Sequence, residues 1–130
     1  MVFVNKVLIV DDDQESRDLL CEVLEANGYT AHAVADGSAA REALSHDRDF
    51  RIVIADLQMP NESGLDLLRN LREQSAQQEI ILMSSFISGT ERRIAKELGA
   101  YALLDKPFRL SDLLQVVAEL ASKKPIGISS

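Results

Sequence analysis

Val7-Leu8-Ile9-Val10-Asp11-Asp12-Asp13 is an uninterrupted apolar run that passes directly into three acidic residues. Consecutive apolar residues indicate a strand buried on both faces, as in parallel sheets that helices cover on both sides. We therefore predict a first strand at residues 6–10, with the aspartates at the carboxyl edge of a sheet.

Outward from this strand, the chain contains five successive pairs of a short apolar run and an amphipathic helical segment. This order is typical of an α/β fold in which a parallel sheet lies between two layers of helices. The predicted strands span residues 6–10, 29–34, 51–55, 79–83 and 102–104, and the predicted helices span about 14–27, 37–44, 65–71, 90–98 and 112–120. Asp36 and Ser111 are suitable caps for the second and last helices.

The fourth predicted helix has a narrow apolar stripe, made only of Ile94, Ala95 and Leu98 among charged neighbours. A narrow stripe buries little apolar surface, so we expect this helix to move more easily than the others.

Length and composition indicate one domain. The 130 residues are 46% hydrophobic, and we expect a domain over residues 1–124 with a flexible tail or linker at 125–130. One cysteine allows no internal disulfide, and the apolar runs are too short to cross a membrane, so we expect a cytoplasmic protein without membrane contact. A formal charge of -7 argues against direct binding to nucleic acid.

Polar residues follow four of the predicted strands, at the edge where parallel sheets bind ligands. They are Asp11, Asp12 and Asp13 after the first strand, Asp56 after the third, Ser84 and Ser85 after the fourth, and Lys106 after the fifth. Acids before a helix often only cap it, and each of the other residues also has a purely structural explanation. Their joint placement at one edge favours a composite site, in which a cation such as Mg²⁺ offsets the repulsion between carboxylates.

These residues lie in motifs that resemble the receiver domains of two-component response regulators. The matching segments are residues 7–13, 56–60 with Gly64 eight residues beyond Asp56, 83–85 and 106–108. The resemblance covers residues 6–124 and implies a flavodoxin-like, doubly wound (βα)5 fold, with a five-stranded parallel sheet of order 2-1-3-4-5.

The resemblance also implies roles for the residues at the sheet edge. Asp56 would accept a phosphoryl group, while Asp11 and Asp12 would hold Mg²⁺ together with Asp56 and the backbone carbonyl of Gln58. Asp13 would instead cap the first helix.

Lys106 would pair with the phosphoryl oxygens, and the Ser84 hydroxyl would turn inward to bond them. The donor would be a sensor histidine kinase or a histidine phosphotransfer protein, because neither His32 nor His46 follows a strand. The signal would leave through the face made by the fourth helix, fifth strand and fifth helix, to a downstream protein or a fused output domain. Such a domain is a signalling switch, not an enzyme, although it promotes its own phosphoryl transfer and autodephosphorylation.

The chain departs from the family pattern three residues before Lys106, where Leu103 replaces the usual aromatic residue. Tyr101, of the same strand parity, is a candidate to act in its place. Gln58 and Phe86 occupy positions that resemble those tuning phosphoryl lifetime in the family.

Two other functions are open to these residues. A haloacid-dehalogenase-like phosphatase also uses a strand-end aspartate, Mg²⁺ and a lysine, and Asp11 and Asp13 match its D-x-D motif. Against it, residues 14–15 continue that motif poorly, and Asp56 would have no role. A pseudo-receiver that binds partners without phosphorylation is the second alternative, although such domains typically lose an acid or the lysine.

Overall fold

The computed structural model describes residues 6–74 and 76–122. Strands and helices alternate in the order β1 (Lys6–Val10), α1 (Gln14–Ala26), β2 (Thr30–Val34), α2 (Gly37–His46), β3 (Ile52–Asp56), α3 (Gly64–Glu73), β4 (Glu79–Ser84), α4 (Gly89–Glu97), β5 (Ala102–Asp105) and α5 (Leu110–Ala121). All five predicted strand and helix pairs are therefore confirmed. The predicted tail at 125–130 lies outside the described residues.

The five strands form one parallel sheet in the order β2-β1-β3-β4-β5, which confirms the predicted fold. Val10 at the end of β1 lies opposite Val34 of β2 and Ala55 of β3. Because the strands run in the same direction in this register, the loops after β1, β3, β4 and β5 all leave the same edge of the sheet.

Two apolar layers enclose the sheet, and β1 shows how one strand serves both. Val7 and Ile9 pack in the layer that contains α1 and α5, whereas Leu8 and Val10 pack in the layer that contains α2, α3 and α4. Successive side chains of a strand point to opposite faces, so a strand between two helical layers must be apolar at every position. All four of these side chains are 0% exposed.

Side-chain caps fix the starts of the first two helices. Asp13 accepts a hydrogen bond from the Ser16 amide, and Asp36 accepts one from the Ala39 amide, which confirms both predicted caps. The predicted cap of the last helix is wrong. This helix begins at Leu110, inside the apolar layer, and its N-cap residue makes no side-chain capping bond. Leu110 is partly buried against this layer, so the helix starts one residue before Ser111, which falls within the first turn.

The narrow stripe of α4 is confirmed, because Ala95 is the one buried residue of that helix and Ile94 and Leu98 are only partly buried. Hydrogen bonds that the sequence did not predict hold the C-terminal end of α4. The Arg72 guanidinium of α3 donates to the carbonyl oxygens of Leu98 at 2.8 Å and Gly99 at 3.2 Å. The mobility of α4 stays a prediction. No helix among the described residues is long and apolar enough to span a bilayer.

Candidate functional site

Three carboxylates meet at the carboxyl edge of the sheet. One oxygen from each of Asp11, Asp12 and Asp56 lies within 4.8 Å of the others. Asp11 is 0% exposed and Asp56 6% exposed, while Asp12 is open to solvent. Asp56 is the last residue of β3, which extends one residue beyond its predicted end. The structure thus brings together the three acids that the sequence placed at this edge.

Lys106 extends into the same cluster. Its ammonium nitrogen donates to Asp56 Oδ2 at 2.8 Å and lies 4.0 Å from Asp11 Oδ2. Its backbone amide donates to the Ser84 carbonyl oxygen at 2.7 Å, which fixes the loop after β5 to β4. Burial lowers the pKa of Lys106, but the bond to Asp56 and the nearby carboxylates outweigh burial and raise this pKa above its ordinary value. Lys106 is therefore a permanent ammonium at neutral pH.

The loop after β3 closes over Asp56. The second carboxylate oxygen of Asp56, Oδ1, accepts a hydrogen bond from the Gln58 amide at 2.9 Å. Further along, a Cβ atom at Gly64 would lie 2.6 Å from the backbone carbonyl oxygen of Asp56. Only glycine allows this approach, which explains why a glycine stands eight residues beyond Asp56 in this sequence.

The acid cluster carries more negative charge than the Lys106 ammonium can neutralise. Asp11 Oδ1 accepts a bond from the Asp13 amide at 2.9 Å, but Asp11 Oδ2 is buried without a hydrogen-bond partner among the described residues. A buried carboxylate oxygen without a partner is costly, and a single ammonium faces three carboxylates here. An all-oxygen donor set of this charge suits a hard divalent cation, so the residues present fit Mg²⁺.

Ser84, also predicted to act at this site, is buried at the end of β4, but its hydroxyl bonds outside the acid cluster. Its hydroxyl lies 2.5 Å from the Gln58 side-chain oxygen and 2.7 Å from the Phe86 carbonyl oxygen. The hydroxyl makes no bond to the Asp56 carboxylate or to the Lys106 ammonium. The neighbouring Ser85 is exposed.

The contacts of two side chains at the site were not predicted from the sequence. The side-chain amide of Gln58 bonds Ser84 and Phe86, whereas the sequence predicted for Gln58 a metal-binding backbone carbonyl and a position that tunes phosphoryl lifetime. Arg17 donates to the Asp11 carbonyl oxygen at 2.7 Å and so supports the turn that carries the acids. In the sequence, Arg17 looks like an ordinary surface charge of α1. No sequence pattern indicates a bond from its side chain to a backbone carbonyl six positions earlier.

The sequence matches a known protein family, and this match identifies the kind of site that the acids and Lys106 form. The family model for the response regulator receiver domain matches residues 7–118. The chain belongs to the response regulator receiver family. Receiver domains act in two-component phosphorylation signalling, are generally not classed as enzymes, and commonly bind Mg²⁺ at an acidic pocket such as the one described above. The family assignment decides against the haloacid-dehalogenase alternative.

Known receiver proteins agree with the assignment. The transcriptional regulatory protein CpxR of Escherichia coli (strain K12) is 37% identical over 111 residues, which cover 85% of this chain and 47% of CpxR. The two-component response regulator ORR3 of Oryza sativa subsp. indica is 37% identical over 119 residues, which cover 90% of this chain and 91% of ORR3. A response regulator receiver protein from Pseudomonas putida has a TM-score of 0.85 at 33% identity, over 92% of this chain and 99% of that one. The chain thus spans about half the length of CpxR.

Tyr101, the candidate aromatic residue of this receiver domain, lies on the other side of the sheet from Leu103. Leu103 packs in the layer of α2, α3 and α4, whereas Tyr101 packs in the layer of α1 and α5. The Tyr101 hydroxyl donates to Glu119 at 3.0 Å. Tyr101 precedes β5, so the alternation of faces does not extend to it.

Neither histidine of the receiver domain lies in the acid cluster. His32 is in β2, where its ring centroid lies 6.1 Å from that of Phe50. His46 ends α2, and its Nδ1 lies 2.8 Å from the Glu42 carbonyl oxygen.

Proposed function

We propose that Asp56 accepts a phosphoryl group from the phosphohistidine of a sensor histidine kinase or a histidine phosphotransfer protein. The observation that carries this assignment is the position of Asp56. It is the one carboxylate of the cluster bonded to the Lys106 ammonium, and its neighbours Asp11 and Asp12 form the rest of an oxygen-rich cation site.

The transfer makes one bond and breaks one. A carboxylate oxygen of Asp56 attacks phosphorus, and the phosphorus–nitrogen bond of the donor breaks with its electron pair on nitrogen. The imidazole leaves neutral when its other nitrogen carries a proton, and Asp56 becomes an acyl phosphate.

Positioning and charge account for the reaction, because phosphoryl transfer passes through a loose transition state with charge on the equatorial oxygens. Lys106, already 2.8 Å from Asp56, remains an ammonium and neutralises part of that charge. The backbone amide of Gln58 orients the carboxylate through its bond to Oδ1. Mg²⁺, held by Asp11, Asp12, Asp56 and the Gln58 carbonyl, would supply the remaining positive charge.

We further infer that the signal leaves through the face formed by α4, β5 and α5. An acyl phosphate adds about two negative charges, which attract the Ser84 hydroxyl and pull on the loop into α4. The single buried residue of α4 supports this route. Amide hydrogen exchange with and without beryllium trifluoride tests it: protection should change over residues 85–98, and unchanged protection there contradicts it.

The partners follow from this assignment. The receiver domain, proposed to span residues 1–124, would act in the cytoplasm and pass its signal to a downstream protein or a fused output domain. CpxR, which is about twice as long, is a transcriptional regulatory protein. With a charge of -7, the receiver domain itself is not expected to contact nucleic acid or membrane.

Phosphorylation of the purified chain tests the assignment. Incubation with Mg²⁺ and acetyl phosphate should produce a labile acyl phosphate, which mass spectrometry of a borohydride-trapped digest places on Asp56. Asp56→Asn should abolish the label. Asp49→Asn, at an exposed aspartate of the loop before β3, is the matched control and should keep it. A chain that takes no label is a pseudo-receiver, and label on Asp11 would refute the assignment of Asp56.

A further inference from the structure

The side chain of Gln58 connects the loops that leave β3 and β4. Its amide oxygen accepts from the Ser84 hydroxyl at 2.5 Å, and its amide nitrogen donates to the Phe86 carbonyl oxygen at 2.6 Å. The Ser84 oxygen also accepts from the Phe86 amide at 3.1 Å. These bonds form a closed ring, which we call the Gln58 network.

The Gln58 network occupies the single proton of the Ser84 hydroxyl. A hydroxyl has one proton, and here two acceptors, Gln58 Oε1 and the Phe86 carbonyl oxygen, lie within 2.7 Å of its oxygen. Ser84 is 0% exposed, so water does not compete for that proton. A phosphoryl oxygen on Asp56 therefore obtains the Ser84 proton only if these bonds break.

We propose that Gln58 is a positioning residue that holds Ser84 and the following loop in the unphosphorylated arrangement. The proposal rests on the proposed function, because Ser84 has a competing partner only when Asp56 carries a phosphoryl group. Breaking the bonds from Gln58 therefore reduces the net free energy that the phosphoryl group gains by binding the Ser84 hydroxyl. This effect concerns the resting position of Ser84 and is separate from the lifetime of the acyl phosphate.

Gln58→Met is the suitable variant because it keeps the length of the side chain and removes both amide bonds. Gln58 is exposed, so the substitution does not disturb the core. Each neutral hydrogen bond shifts an equilibrium by roughly 2- to 12-fold. We expect Gln58→Met to bind beryllium trifluoride, in saturating Mg²⁺, about 5-fold or more tightly than the wild type. Hydrogen exchange at the Phe86 amide should also be faster before the probe is added.

A double-mutant cycle with Ser84→Ala separates this role from a general effect on the loop. If Gln58 acts by holding the Ser84 hydroxyl, Gln58→Met should improve affinity far less in the Ser84→Ala background. Gln77→Met, at an exposed glutamine of the loop before β4 on the opposite edge of the sheet, is the matched control and should leave affinity unchanged.

The outcomes are distinct. Tighter binding that depends on Ser84 supports the proposal. Unchanged or weaker binding by Gln58→Met overturns it, as does an equal gain in the presence and absence of the hydroxyl. If the wild type neither binds beryllium trifluoride nor takes label from acetyl phosphate, the proposed function fails as well. A wild type that does both, with variants that behave alike, refutes the role of Gln58 alone.

Discussion

Asp11→Asn should stabilise the metal-free protein and remove its response to Mg²⁺. Asparagine keeps the acceptor for the Asp13 amide and places a donor where Oδ2 now has no hydrogen-bond partner among the described residues. With an effective dielectric constant of about 20, removing two repulsions at about 4.8 Å gains about 7 kcal/mol, and losing the attraction to Lys106 at about 4.0 Å costs about 4 kcal/mol. Exposure of Asp12 screens part of the repulsion, so we expect a net gain of about 1 to 2 kcal/mol.

The assay is urea unfolding of wild type and Asp11→Asn in EDTA and in Mg²⁺. In EDTA the variant should have the higher unfolding free energy. In Mg²⁺ the wild type should gain about 1.4 kcal/mol when the free ion is at about ten times its dissociation constant, whereas the variant should gain much less. The difference in unfolding free energy between the variant and the wild type therefore decreases or changes sign as Mg²⁺ is added.

Two results would refute this reasoning. If Asp11→Asn is less stable than the wild type in EDTA, the cluster is not under net repulsion. If both proteins gain the same free energy from Mg²⁺, Asp11 is not a ligand. Asp49→Asn serves again as the control and should change neither quantity.

Three other substitutions test the surroundings of the site. Gly64→Ala places a methyl group 2.6 Å from the Asp56 carbonyl oxygen and should lower the unfolding free energy in urea by about 1 to 3 kcal/mol. The control is Gly89→Ala, because a Cβ atom there meets open space, and equal effects of the two substitutions would contradict the steric argument. Despite burial, contacts with carboxylates raise the pKa of Lys106, so its contribution to stability is complete below about pH 10 and declines as pH rises through the raised value. Lys106→Met should therefore differ from wild type in unfolding free energy more at about pH 8 than at about pH 11.5, and a constant difference would refute the linkage. Arg72→Met should speed amide exchange at the end of α4 while leaving α1 unchanged, and intact protection there would show that the carbonyl bonds are dispensable.

Features that depend on periodicity were predictable from the sequence. Apolar runs of strand length, such as residues 7–10, gave the strands to within about one residue, because burial on both faces constrains every position. The site followed from topology, since parallel strands deliver Asp11, Asp56 and Lys106 to one edge. The strand order came from the family resemblance, because alternation alone does not specify which strands are neighbours.

Features that depend on long side chains reaching distant backbone were not predictable. The bonds from Arg72 to the end of α4 cross 26 and 27 positions of the chain, and the bond from Gln58 to Phe86 crosses 28. Such contacts leave no local pattern. The start of α5 was missed for a related reason, since the packing of the partly buried Leu110 against the apolar layer is a tertiary contact that the capping preference of Ser111 does not reveal.

If α4 moves as proposed, the bonds from Arg72 make the C-terminal end of this helix the pivot of the movement. The helix has nine residues, so its axis is about 14 Å long, and a tilt of about 10° about the pinned end sweeps its first turn through an arc of about 2 Å. The end near Leu98 hardly travels in such a swing. A protein that senses the tilt of α4 must therefore touch its leading turn, because the trailing turn carries almost none of the displacement.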